Sequence, residues 1–286
     1  MNKSITVVTA FFDIGRGSWK NQNSDFEKFD RTTETYFNYF SRLASLDNEL
    51  IVFTSENFKN KILSLRKGKP THIVTIDIYK KFKFTLKKIS TIQNSDSFKN
   101  LINPELHNNP EYWSSKYVLV TNLKTFFVNK AIEMKLSNSE FISWIDFGYI
   151  RNNKTLYGIK TWYHPFRHDK VHFFTIKNIL DLSDRKAVLN AVLNNEPHII
   201  GGVILATSDK WVELYKLVVE TQKEFLASGI IDDDQGIFLT CASKKPSLFQ
   251  LNYLGRMRWF KVFKLFHKGS KVNYLTRLGI LLRIIK

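Results

Sequence analysis

Apolar residues along this chain fall into two kinds of pattern. Short unbroken runs, among them SITVVTAFF, NELIVFTS, THIVTIDI, EFISWIDFGYI and EPHIIGGVILATS, have the length and the β-branched or aromatic content of strands. Between them, apolar residues recur every three or four positions. TETYFNYFSRLASL places Tyr36, Phe40, Leu43 and Leu46 at helical spacing, and SKYVLVTNLKTFFVNKAIEM reads as one buried helix. SDKWVELYKLVVETQKEFLASG predicts a longer helix: a Ser/Asp start, Trp211, Leu214, Leu217 and Val218 on its apolar side, and Gly229 as its stop. Alternation of this kind predicts an α/β protein, a mixed, mainly parallel sheet flanked by helices. In such sheets ligands sit at the carboxyl ends of strands.

Composition narrows this. The 286 residues, 43% hydrophobic and 14% aromatic, suffice for a sizeable core. The single cysteine, Cys241, excludes an internal disulfide framework and a cysteine-rich zinc site, and suits a reducing, cytoplasmic setting. The first apolar run ends at Asp13, too short for a membrane span and without a small-residue cleavage site. The net charge of +17 is uneven: from Gln235 onward there are eleven Lys or Arg and no acid. A basic end of this kind suits a polyanion, whether nucleic acid, anionic lipid or a phosphorylated substrate, but no nucleic-acid motif accompanies it.

The first candidate for chemistry is Asp146. It ends an apolar run, where a buried carboxylate needs a partner, and Gly148 just after it lets the backbone turn. Asp146 is either a turn cap or a hard-oxygen ligand for Mg²⁺ or Mn²⁺ on a diphosphate. Gly201 and Gly202, read as lying within a strand, mark close approach by a ligand or another backbone. Asp232, Asp233 and Asp234, followed by Gln235, open a helix. They are either favoured there by the helix dipole or include a general base, Asp233 or Asp234.

Taken in order, ITVVTAFFDIGRG, SWIDFGY, IIGGVILA and DDDQ resemble the HtrL/YibB-like (WlaTC-like) family of bacterial glycosyltransferases, over roughly residues 4–255, and more broadly the GT-A glycosyltransferases. The resemblance implies a GT-A-like, Rossmann-like catalytic domain over 1–255. Its activity would move a sugar from a nucleotide donor, UDP-linked and galactose-type, to a lipid-linked or oligosaccharide acceptor of capsule, O-antigen or lipooligosaccharide. It also implies Mn²⁺ or Mg²⁺ on an Asp-X-Asp motif, from which Asp146-Phe147-Gly148 departs in having Gly148 as its last residue. Thr9, Ala10 and Phe11 would line the nucleotide, Arg16 would hold its diphosphate, and Gly201, Gly202 and Gln235 would border the sugars. Whether the reaction inverts or retains configuration stays open.

Several other residues complete the expectations. Lys116 opens the apolar helix and either binds phosphate there or is solvated. His164, His168 and His172 read as an acceptor-side loop, since Pro165 argues against a helix there. His267 is a second metal-ligand candidate by similarity to glycogenin-like enzymes. Residues 256–286 form a basic extension in which Trp259, Phe260, Val262, Phe263 and Phe266 share one helix face and Lys261, Lys264 and Lys268 the other. That face either lies on an anionic membrane, as a peripheral contact at the inner surface, or packs on the domain. A rival reading of the whole chain is a non-catalytic membrane- or polyanion-binding protein on the same fold.

Overall fold

The computed structural model describes residues 5–21, 23–178 and 180–267. Among these, seven strands form one sheet: β1 Ile5–Phe11, β2 Leu50–Thr54, β3 Thr71–Thr75, β4 Phe141–Ile145, β5 Val171–Thr175, β6 Val203–Ala206 and β7 Phe249–Tyr253. Their order is β3-β2-β1-β4-β6-β5-β7. Every pairing is parallel except those of β6, which runs antiparallel to β4 and β5. This is the expected mixed, mainly parallel sheet. The longer helices on its faces are α1 Thr33–Leu43, α2 Lys83–Gln93, α3 Ser115–Asn122, α4 Lys124–Glu133, α5 Arg185–Leu193, α6 Ser208–Ala227 and α7 Asp234–Lys244.

The central strands are covered on both sides, which is why they read as continuous apolar runs. Val8, Ile51 and Phe53 face one core with Phe127 of α4, Trp211 of α6 and Phe238 of α7. Val7, Leu50 and Val52 face the other with Phe37 and Phe40 of α1. α6 ends where its stop signal predicts, with Gly229 in the left-handed region at φ +69°.

Three expectations need correction. The predicted helix across residues 115–134 is two helices that break at Leu123, so Lys124 becomes the first residue of α4. Gly201 and Gly202 lie in the turn before β6, not within the strand. Among the described residues, the amphipathic stretch near residue 260 forms one helical turn, Val262–Leu265. Val262 and Phe263 are fully buried in the core beside Trp162, whose Nε1 donates to the Phe266 carbonyl at 2.6 Å. The packed body therefore continues past residue 255 to Phe266. Lys268 and the rest of the basic segment lie outside the described residues.

The chain leaves β1 toward β2 on one side, while β4 joins β1 on the other. The carboxyl ends of β1 and β4 thus flank the point where the strand order reverses, the usual position of a ligand crevice in an open sheet.

Candidate functional site

A cavity of about 330 Å³ opens at that point. Its floor is the end of β1, Ala10 to Asp13, and the segment after β4, Asp146 to Tyr149. The turn Ile200–Gly202, the start of α7, Lys124 and three arginines, Arg16, Arg31 and Arg151, also line it. Of the sequence-predicted residues, the fold brings Ala10, Phe11, Arg16, Asp146, Gly148, Gly201, Gly202, Asp233, Asp234 and Gln235 to this cavity.

Three of the expected residues are elsewhere. Thr9 is fully buried in β1, one position short of the strand end where the cavity begins. Lys116 is exposed, its ammonium 5.4 Å from the centre of the Tyr79 ring, and its helix is capped by the Ser114 hydroxyl. His267 is not among the lining residues; its Nδ1 lies 2.8 Å from the Phe263 carbonyl. The three upstream histidines do not converge: His168 pairs with Glu140 at 2.9 Å, while His172 is buried in β5 against the Arg167 carbonyl.

The organising feature of the site is one that sequence reasoning missed. Lys124 is buried, and its Nζ lies 2.9 Å from Asp146 Oδ1, 2.8 Å from Asp234 Oδ2 and 2.9 Å from the Gly201 carbonyl. Burial alone lowers a lysine pKa, but the two carboxylates outweigh it and hold Lys124 above its ordinary value. Asp146 Oδ1 also accepts from Trp144 Nε1 at 2.7 Å. The paired glycines make room for this network. A Cβ on Gly201 would lie 1.5 Å from Asp234 Oδ2, and one on Gly202 would lie 2.8 Å from the Tyr149 ring. The close approach that the glycines announce is by the protein's own side chains.

The three consecutive acids part ways. Asp232 borders a second, more apolar cavity of about 240 Å³. Asp233 caps α7, its Oδ1 accepting from the Gln235 amide at 2.8 Å. Asp234 is locked to Lys124. Burial, and then the nearby Glu111 carboxyl, raise Asp233 to about 7, and burial raises Asp234 to about 7 against the pull of Lys124. Glu111 is itself pushed up to about 7 by burial. Asp233 is thus a carboxyl poised to exchange a proton near neutrality, facing the cavity.

In the same cavity, Arg16 donates from Nη1 to the Tyr36 hydroxyl at 2.9 Å and lies over Trp19 and Tyr117. Arg151 lies 5.1 Å from the centre of the Phe260 ring. Arg31 is lowered by burial and then by Arg16 and Arg151. Among the described residues, no carboxylate comes within 4.0 Å of any of the three guanidinium groups. Arg31 is repelled by both of its neighbours, and Arg16 acts on the Glu111 carboxyl only at longer range, so the three guanidinium groups suit an anion.

The same arrangement bears on the metal that the resemblance implies. Among the described residues, no group of three His, Cys, Asp or Glu side chains converges as a metal site. Gly148 replaces a carboxylate, His267 is turned to a backbone carbonyl, and the space between Asp146 and Asp234 already holds the Lys124 ammonium. The residues present do not fit a divalent cation.

Comparison with known proteins places this site in context. Among solved structures, mouse xyloside xylosyltransferase 1 in its apo form is similar at a TM-score of 0.40 and 12% identity, over 87% of this chain and 84% of that one; a likeness so distant says nothing of chemistry. Protein HtrL of Escherichia coli strain K12 is 47% identical over 278 residues, covering 96% of this chain and 98% of its own. The family model HtrL_YibB, described as a bacterial protein of unknown function, matches residues 3–268. The chain therefore belongs to the HtrL_YibB family.

Proposed function

We propose that this protein is a glycosyltransferase whose cavity binds a nucleotide sugar, UDP-linked and galactose-type, and passes the sugar to a hydroxyl of a lipid-linked or oligosaccharide acceptor of the cell surface. The observation that carries this reading is the pairing, in one cavity at the strand-order reversal, of three unmatched arginines with a carboxyl raised to about 7. Arginines without acid partners suit a diphosphate. A carboxyl poised near neutrality suits removal of a proton from an alcohol.

In the inverting form of the reaction, Asp233 takes the proton of the acceptor hydroxyl as its oxygen bonds to the anomeric carbon. The bond from that carbon to the donor phosphate breaks, and its electron pair stays on the nucleoside diphosphate. Arg16, Arg31 and Arg151 meet the growing negative charge. Asp233 suits the base role better than Asp234, because the Asp234 carboxylate is committed to Lys124. The Gln235 Oε1, buried and without a partner, can accept from a sugar hydroxyl. Contact with an anionic membrane, if the protein makes one, does not use Val262 and Phe263, which the core already covers.

The test is a calorimetric screen of nucleotide sugars, followed by transfer assays on Asp233→Asn. The variant should keep donor affinity and lose roughly 10²–10⁴-fold in turnover. The wild-type rate should rise with pH through about 7 as Asp233 ionises. Failure of every nucleotide sugar to bind would remove the reading in favour of a non-catalytic anion-binding protein. Unchanged turnover in Asp233→Asn would remove Asp233 from the mechanism.

A further inference from the structure

Lys124 occupies an unfavourable place for a cation. It is the first residue of a ten-residue helix, where the dipole repels positive charge, and it is 5% exposed. Nothing local explains it. Its three oxygen partners come from separate parts of the fold: Asp146 after β4, Asp234 at the start of α7, and Gly201 in the turn before β6. Both carboxylates make further contacts. The Asp146 carboxylate takes the Trp144 indole N–H, while its backbone N–H bonds the Gly202 carbonyl at 2.9 Å. The Asp234 carboxylate rests on Gly201, where no side chain would fit. Two carboxylates and a carbonyl arranged around one buried point, at the carboxyl end of the central strands, form a cage for a cation, and the chain supplies that cation itself.

We infer that Lys124 is the resident cation of this site in place of a divalent metal, so that nucleotide diphosphate binds and reacts without one. The part concerning nucleotide rests on the proposed function; the part concerning the cation site does not. Lys124 acts as a positioning residue. It fixes Asp146 and Asp234 at the cavity wall and offsets their charge, leaving the three arginines available to the diphosphate. In this arrangement Gly148 is no defect. A second carboxylate after Asp146 would add negative charge with no metal to receive it.

Two measurements test this. In the first, Mn²⁺ alone is titrated by electron paramagnetic resonance into the wild type, Lys124→Ala and Lys124→Ala/Asp146→Asn. The expected result is no saturable site in the wild type, one site in Lys124→Ala, and its loss in the double variant. A wild-type site abolished by Asp146→Asn would overturn the inference. A folded Lys124→Ala that takes up no Mn²⁺ would do the same, since the ammonium would not then stand in a cation position. In the second, UDP binding to the wild type is measured by calorimetry with EDTA and with Mn²⁺. Equal affinity supports the inference, and affinity that disappears with EDTA and returns with Mn²⁺ refutes it. Should Lys124→Ala not fold, the wild-type Mn²⁺ titration still decides. Should UDP fail to bind under any condition, the functional reading falls while the Mn²⁺ titration still judges the cation site.

Discussion

The sharpest consequence of the Lys124 network lies in a glycine. Replacing Gly201 by alanine puts a Cβ 1.5 Å from Asp234 Oδ2 and 2.6 Å from its Cγ. Ordinary contact needs about 3.5 Å, so the carboxylate must withdraw by roughly 2 Å. Its 2.8 Å bond to Lys124 does not survive such a shift. Both groups are buried, and opening a buried pair costs about 3–5 kcal/mol. The backbone at Gly201 is not in the left-handed region, so alanine meets no backbone strain there. It returns about 0.4–1 kcal/mol by restricting the unfolded chain. The expected net loss is about 2–5 kcal/mol, a large part of the 5–15 kcal/mol typical of a domain. Urea unfolding should show it as a lower midpoint at unchanged slope. A double-mutant cycle isolates the cause: in an Asp234→Ala background the obstructing carboxylate is gone, and Gly201→Ala should cost under about 1 kcal/mol. The same cost in both backgrounds, or a loss under about 1 kcal/mol in the wild type, would show that the glycine is not reserved for Asp234.

Three further outcomes are open to measurement. Glu111 and Asp233 both hold their protons up to about pH 7 in the folded protein, against 4.5 and 3.8 ordinarily; the stability they contribute is complete below about pH 4 and lost as pH rises through 7, so the melting temperature should fall between about pH 4 and 7, and Glu111→Gln should flatten that fall. Arg31→Met and Arg151→Met should each weaken nucleotide binding about tenfold, in line with the ~1.5 kcal/mol of a charge-assisted hydrogen bond, and equal affinities at low and high salt would count against the anion site. Phe263→Ala should cost about 3–5 kcal/mol, because its ring is fully buried 4.9 Å from Trp162 between centres, and a loss under about 1 kcal/mol in thermal or urea unfolding would return this segment to the status of a detachable tail.

How far the sequence could be read followed the range of the interactions involved. β1 and β4 are legible because a strand covered on both faces is an unbroken apolar run, and Asp146 is legible because a charge ending such a run has only the open carboxyl end of the sheet to occupy. Both facts are local. Lys124 is not legible as a site residue. It sits within VLVTNLKTFFV like any lysine of a helix, and its reason for being there includes a carboxylate 110 residues away. A lone cation inside an otherwise apolar stretch was the one signal available. The glycines show the intermediate case: Gly201 and Gly202 do mark a close approach, but only the fold shows that Asp234 and Tyr149 make it. Trp259 to Phe266 shows the same limit from the other side. Its amphipathic pattern records that a face needs cover without naming what provides it, and Trp162 with the core around Phe263 provides it before any membrane can. Local pattern therefore exposes an unmet requirement, a buried charge or an uncovered face, while topology alone identifies the group that meets it. At Asp146 the expectation of a metal rested on a carboxylate in need of a cation, and Lys124 is the cation the fold brings to it.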